Sequence, residues 1–362
     1  MPERSTTFAF VGPFPPIPGG IAQHAHQLVA AIEDSGRNVT VVSWRSQYPR
    51  VLYPGSQAIM AKELSNHTLR WWAPWTWVQA RRRISDADVV VFPWVSPVHS
   101  IQLRVILGGQ SRRQVAIVHN ALPHENLPLA KQSMRWVLRR VDGIVVHSAS
   151  VATELQSILE KHPILTVPHP ANLPLQSTPL RQGRPRVLFF GYIRPYKGVD
   201  LLIEAVAALR ARGQDVVVTV AGESWQDPEE LTGMAERLGV SDLIEFEFGY
   251  VTDDGVAKLL EEHHLVVQPY RSASQSGVIP LAFAAGRPVV VTPVGGLAES
   301  VDSGVNGVVA EAATADALAD ALTVALSELD TLALGAAAAS ANWSDVVSAV
   351  LEAAELGAPE IS

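Results

Sequence analysis

The sequence predicts an α/β protein of two Rossmann-like, doubly wound parallel-sheet domains, and three observations carry that prediction. Short β-branched runs alternate with helical patterns along nearly the whole chain, and such alternation with brief connections builds parallel sheets. At 362 residues the chain exceeds what one hydrophobic core usually supports. A proline-rich, polar stretch from Pro163 to Pro185 separates two such series, as an interdomain connection does.

In the first series, Thr7 to Val11 is an apolar strand, followed by a Gly/Pro-rich loop and a helical pattern from Ile21 to Glu33. Strands at Asn38 to Ser43, Asp88 to Phe92, Gln114 to His119 and Gly143 to His147 extend it, with one more strand near Pro163. The second series has strands at Arg186 to Phe190, Asp215 to Ala221, Ile244 to Phe248, His264 to Gln268 and Pro288 to Thr292, with a helix over Asp200 to Arg212. The alanine-rich tract Ala312 to Ala341 reads as packed helix, since alanine loses no side-chain entropy there. Asn342 or Ser344 can cap a last helix that Trp343 anchors. The expected domains are residues 1–175 and 176–342, with a terminal helix over 343–362.

Composition narrows the function. With 48% apolar and 18% charged residues, the chain can bury two cores, and the absence of cysteine removes disulfides and thiolate metal sites. No secretory h-region and no apolar run of about 18 residues is present, so a soluble or at most peripheral, cytoplasmic protein is expected. The net charge of -8 hides an asymmetry: residues 1–170 hold 17 Lys and Arg against 10 Asp and Glu, the remainder 11 against 26. A basic half on an acidic protein suits an anionic partner, such as a phosphorylated acceptor or an anionic membrane surface. No nucleic-acid-binding motif accompanies the arginines, so no nucleic acid is expected.

The most informative segment is Phe189-Phe190-Gly191-Tyr192-Ile193-Arg194-Pro195-Tyr196-Lys197-Gly198, a strand running into a turn with two cations three apart, ahead of a helix. That placement can clamp a diphosphate. The pattern resembles the donor-binding turn of retaining glycosyltransferases of family 4. The likeness continues through Gly19-Gly20-Ile21, His119-Asn120, Ala221-Gly222-Glu223, the run Pro269 to Val294 and Asn342-Trp343-Ser344. It implies the GT-B fold with the two domains facing across a cleft, and a last helix crossing back to the first domain. It also implies transfer of a sugar from a nucleotide-diphosphate donor with retention of configuration, in glycan, glycolipid or polysaccharide synthesis. Arg194 and Lys197 would then stabilise the leaving diphosphate, with no cofactor and no metal.

By the same resemblance, His119 would contact the donor sugar near the reacting carbon, and Gly19, Gly20, Gly191, Ser276, Gly277 and Val278 would hold the donor. His24 and His124 would line the acceptor site; His26 shares the first helix with His24. The sequence departs from the family at one point. Two glutamates usually stand eight positions apart around the Ser276 loop, and here Ala273 and Leu281 occupy those positions. This is the pattern of a variant subtype, and Glu223 or Glu299 can supply a replacement carboxylate.

Asp86-Ala87-Asp88 looks like a metal-binding pair but precedes a strand instead of following one, so it reads as solvent-facing or capping. Arg70 to Arg83 packs four tryptophans and four arginines into 14 residues, a composition that suits a membrane interface or a platform for sugar and lipid-phosphate groups; at least two of the indoles are expected to pack between helices, and the three consecutive arginines to give a basic surface. The leading expectation is a retaining hexosyl-type glycosyltransferase acting on a sugar, lipid-linked or phosphorylated acceptor. The rival is a degenerate GT-B protein that binds nucleotide sugar or glycan without catalysis, motivated by the two missing glutamates. A GT-B epimerase or phosphorylase fits less well, the chain being short and the Arg-x-x-Lys-Gly turn favouring transferases.

Overall fold

The computed structural model of the chain describes residues 6–17, 19–46, 66–108, 112–120, 130–273 and 276–356. His124, Glu125, Ser274 and Gln275 lie outside the described residues. The chain divides into two compact units: Met1–Pro168 together with Asn342–Ser362, and His169–Ala341.

In the first unit the elements run β1 (Phe8–Val11), α1 (Gly20–Asp34), β2 (Val39–Ser46), β3 (His67–Arg70), α2 (Pro74–Arg83), β4 (Val89–Trp94), α3 (Ser100–Leu107), β5 (Arg113–Val118), α4 (Ala130–Leu138), β6 (Gly143–Val146), α5 (Ala149–Leu159) and β7 (Ile164–Thr166). The strands pair in parallel in the order β3-β2-β1-β4-β5-β6-β7. The two-residue side-chain period assigns the faces. Phe8 and Phe10 join the core under α1, while Ala9 and Val11 join the opposite core with residues of α2, α3, α4 and α5. Both faces are thus covered, which explains why the strands read as continuous apolar runs.

The second unit runs β8 (Arg186–Phe190), α6 (Val199–Ala211), β9 (Val217–Gly222), α7 (Pro228–Arg237), β10 (Ile244–Phe248), α8 (Asp253–Glu262), β11 (Leu265–Gln268), α9 (Val278–Ala284), β12 (Val289–Val291), α10 (Gly296–Glu299), β13 (Gly307–Val309), α11 (Ala315–Ser327) and α12 (Leu329–Ala338). Its strand order is β10-β9-β8-β11-β12-β13, again all parallel. The last helix, α13 (Trp343–Leu356), belongs to the first unit and lies beside α1 and against β5, β6 and β7. It approaches so closely that a Cβ on Gly143 would stand 2.4 Å from the Ala353 carbonyl oxygen. Only glycine fits at that position.

Three differences from the sequence reading have physical causes. The strands β3 and β13 are four and three residues long, and His-Thr-Leu-Arg and Gly-Val-Val carry too little alternation to signal themselves. The alanine-rich tract is not one helix: it breaks at Glu328 and turns by 89° between α11 and α12. Ser344 lies inside α13 instead of capping it, and the Asp345 amide reaches back to the Asn342 carbonyl oxygen at 3.2 Å. Among the described residues no single helix is long and apolar enough to cross a membrane; α11 and α12 pass on length and composition only as that bent pair, and bury Leu318, Leu322 and Leu332 in the core.

Candidate active site

Strand order reverses between β1 and β4 in one sheet and between β8 and β11 in the other, and open α/β sheets bind ligands at the carboxyl ends of strands at such points. In the second unit both flanking loops are built for that. The chain leaves β8 through Gly191 and reaches a single 3-10 turn at Pro195–Lys197, with Arg194 just ahead of it. Gly198 then turns with φ +68°, where a Cβ would come within 2.0 Å of the Pro269 carbonyl oxygen in the loop after β11. The two loops are also stitched by Arg271. Its amide donates to the Tyr196 carbonyl at 2.7 Å, and its guanidinium grips both Asp200 carboxylate oxygens at 2.6 and 2.8 Å.

The stitching presents two cations. The Arg194 guanidinium carbon lies 3.7 Å from the Trp225 ring centroid and 5.8 Å from that of Tyr192, two well-exposed aromatics. Lys197 Nζ lies 5.0 Å over the Tyr270 ring and 3.2 Å from where a Cβ on Gly191 would be. Among the described residues neither cation has a carboxylate partner, and Arg194 Nε is buried without a hydrogen-bond acceptor. Burial, and secondarily the Arg194 charge, push the Lys197 ammonium down to about 8. Two half-buried cations held over aromatic faces, with no carboxylate partner among the described residues, are the arrangement an anion-binding site requires. Because only the protonated lysine attracts an anion, nucleoside diphosphate affinity should fall as pH rises through about 8; a flat profile from pH 7 to 9 in calorimetry would remove Lys197 from the site.

Glu223 is exposed at the exit of β9, and the backbone lacing there is explicit: Ile193 N donates to Glu223 O, and Trp225 N to Ile193 O, each at 2.9 Å. That lacing carries Glu223 and Trp225 to the Arg194 edge. Glu299, by contrast, is the exposed last residue of α10, after β12. Ser276 is occupied internally, its hydroxyl donating to Gln268 Oε1 at 2.7 Å and accepting from the Val278 amide at 3.3 Å. Gly277 caps α9 without a side chain, and Val278 Cγ2 approaches the Gly191 position to 3.9 Å. Leu281 is 6% exposed within the core and Ala273 packs at its edge. Leu281→Glu would therefore bury a carboxylate among apolar side chains and should destabilise the unit by several kcal/mol, whereas Ala273→Glu should be tolerated. Urea denaturation of the two variants checks this; equal midpoints would contradict it.

In the first unit α1 starts at Gly20 with Gly19 as N-cap at φ +122° and no capping side chain, and nothing lies within 4 Å of where either Cβ would be. The loop is open to a ligand. His119 and His147 end the paired strands β5 and β6 one residue past the Val118–Val146 pairing, so they stand side by side. His24, on the buried side of α1, meets both: ring centroids are 4.6 Å apart to His119 and 4.9 Å to His147. His26 instead faces outward against Phe14 at 5.5 Å. Asp88 accepts from the Thr7 amide and hydroxyl, each at 2.8 Å, which explains Asp86-Ala87-Asp88 as a strand-end cap. Sequence reasoning missed Tyr192, Trp225, Tyr270 and Arg271; the aromatics among them were visible as residues just past strand ends.

The fold and this strand-edge cation pair define a two-domain α/β protein of the GT-B class. Residues 18–173 match the family described as Glycosyltransferase Family 4, and residues 184–328 match Glycosyl transferases group 1. The chain therefore belongs to the family 4 glycosyltransferases. It is 25% identical over 361 residues to the GDP-mannose-dependent alpha-(1-6)-phosphatidylinositol monomannoside mannosyltransferase of Mycobacterium tuberculosis H37Rv, covering 91% of this chain and 92% of that one. It is 34% identical over 190 residues to the D-inositol 3-phosphate glycosyltransferase of Geodermatophilus obscurus, covering 49% of this chain and 41% of the relative, so it spans less than half of that protein's length. Among solved structures, sucrose-phosphate synthase from Thermosynechococcus elongatus superposes with a TM-score of 0.70 at 17% identity, covering 97% of this chain and 98% of that one. Anabaena HepE in complex with UDP-glucose superposes at 0.66 and 20%, covering 96% and 98%.

Proposed function

We propose that this chain transfers a hexosyl group from a nucleoside-diphosphate sugar to an acceptor hydroxyl with retention of configuration. The observation that carries the reading is the Arg194–Lys197 pair, which among the described residues has no carboxylate partner and stands at the switch point of the second sheet. As the bond from the anomeric carbon to the diphosphate oxygen breaks, negative charge grows on the diphosphate, and both cations stabilise it more in the transition state than before. The acceptor oxygen bonds to the same face of that carbon, and its proton passes to the departing phosphate oxygen. Such a front-side route needs neither a side-chain base nor a metal. Trp225 and Tyr192 hold the guanidinium in place, and Glu223 leaves β9 in the segment laced to that edge.

The basic first unit is the acceptor side of this reading, and the similarity to a phosphatidylinositol mannoside transferase supports a lipid-linked or phosphorylated acceptor. Its location would be the cytoplasmic face of a membrane. Trp72 and Trp75 are 51% and 57% exposed, edge to face at 5.8 Å, and α2 ends on Arg81, Arg82 and Arg83. The Arg70 guanidinium lies 5.6 Å from the Trp72 ring centroid just ahead of that helix, and aromatics with arginines along one surface segment suit an anionic lipid interface. Cosedimentation with phosphatidylglycerol vesicles should drop several-fold in a Trp72→Ala, Trp75→Ala variant; unchanged pelleting would refute this contact. The reaction itself is tested by titrating the chain with UDP, GDP and ADP with and without magnesium. One nucleotide should bind without magnesium and lose affinity in Arg194→Ala. Tight binding with no turnover of the matching nucleotide sugars would establish the binding-only reading instead.

A further inference from the structure

We propose that His24, His119 and His147 form a binding site for one divalent transition-metal ion of the zinc or cobalt kind, separate from the diphosphate clamp. The three side chains converge from α1, the end of β5 and the end of β6, and one ligand nitrogen from each lies within 4.8 Å of the others. His24 and His147 are 3% and 6% exposed, while His119 is half-buried. Four-coordinate zinc with three protein nitrogens has this composition.

The hydrogen bonds set the lone pairs for it. His147 Nδ1 lies 3.0 Å from the Val167 carbonyl oxygen, so Nδ1–H donates there and Nε2 keeps its lone pair facing the cluster. A backbone carbonyl fixing the far nitrogen of a histidine is the usual support of a metal ligand. His24 Nε2 is 2.9 Å from His147 Nε2, so without a metal His24 carries its proton on Nε2 and donates it. With a metal bound, His24 takes the other neutral tautomer, its proton on Nδ1, and both Nε2 lone pairs face the ion. Nitrogens around tetrahedral zinc at about 2.0–2.1 Å stand roughly 3.3 Å apart, so the pair opens by only about 0.4 Å. The edge of the Trp343 indole, 4.8 Å from the His24 ring at 68°, walls one side with apolar surface.

Imidazole nitrogen selects zinc, cobalt or nickel over magnesium, which prefers oxygen. The site therefore answers to ions that a magnesium-dependence test would overlook. Binding does not require that the chain transfer sugar, so it stands or falls apart from the proposed reaction. If both readings hold, a bound ion occupies His119 and inhibits transfer.

The test uses tag-free, metal-stripped full-length chain titrated with cobalt chloride by absorption and with zinc chloride by calorimetry. One ion per chain is expected, with the intense visible bands of four-coordinate cobalt, no heat from magnesium, and at least about a tenfold loss of affinity in His147→Gln. No saturable binding, or unchanged binding in both His147→Gln and His24→Gln, overturns the site. Should those variants not fold, X-ray absorption on the zinc-loaded wild type decides. Three imidazole ligands support the site, and fewer than three overturn it.

Discussion

Lys197→Met is expected to lose transfer by about 10²- to 10³-fold while unfolding at the wild-type temperature or above it. The two halves of this result have one cause. The lysine stands at about 8 in the folded chain, below the 10.5 of a free side chain, because burial and the neighbouring Arg194 oppose its charge. A lysine with a depressed folded value costs stability when charged; the cost is complete below pH 8 and vanishes above the unfolded value. At pH 7 the chain carries that cost, and in the proposed reaction a bound diphosphate would relieve it. Methionine fills the same space over Tyr270 without the charge, so catalysis is lost and strain goes with it. Steady-state kinetics with parallel thermal denaturation checks the pair of effects. A large fall in midpoint would show that Lys197 holds the turn together instead of serving a ligand.

Arg287→Leu should cost about 3–5 kcal/mol of stability. Arg287 is 0% exposed, and its guanidinium donates to Leu260 O at 2.7 Å, Thr178 O at 2.6 Å and Thr178 Oγ1 at 2.8 Å. Those carbonyls lie at the far end of α8 and in the segment leading into β8, so one side chain satisfies acceptors from two separated stretches. Leucine matches the volume but leaves them dry. Burial pushes the arginine's own affinity for its proton down, yet it remains charged at neutral pH. Arg287→Lys should fall between, since an ammonium on a flexible stem cannot reach three acceptors in a plane. Urea denaturation measures both; a loss under about 1 kcal/mol for the leucine variant would mean that water replaces the guanidinium.

Most of the fold was legible because each buried strand had to be apolar on both faces, and Phe8 to Val11 or Val187 to Phe189 can hardly be read otherwise. The cation turn was legible because Arg194, Lys197 and Gly198 sit where a strand ends, and a turn's chemistry is local. What escaped were relations between distant segments. Nothing in the sequence sets His147 beside His119; that follows from the pairing of β5 with β6. Nor does it set Trp225 over Arg194, which depends on the lacing of the β8 and β9 exits. The expectation for His124 falls outside the described residues. Leu281, where the resemblance leads one to expect a glutamate, is buried, so a carboxylate there would stand among apolar side chains.

The return of α13 to the first unit has a consequence for the order in which the protein is made. The second unit is continuous, His169–Ala341, and can close as soon as it has left the ribosome. The first cannot, because Val346, Val347 and Val350 complete the core that Phe8 and Phe10 begin. Until α13 is in place, the part of that core's sheet face formed by β5, β6 and β7 stays uncovered, so a chain truncated before residue 342 would hold a complete second unit and a first unit whose core is open beside α1.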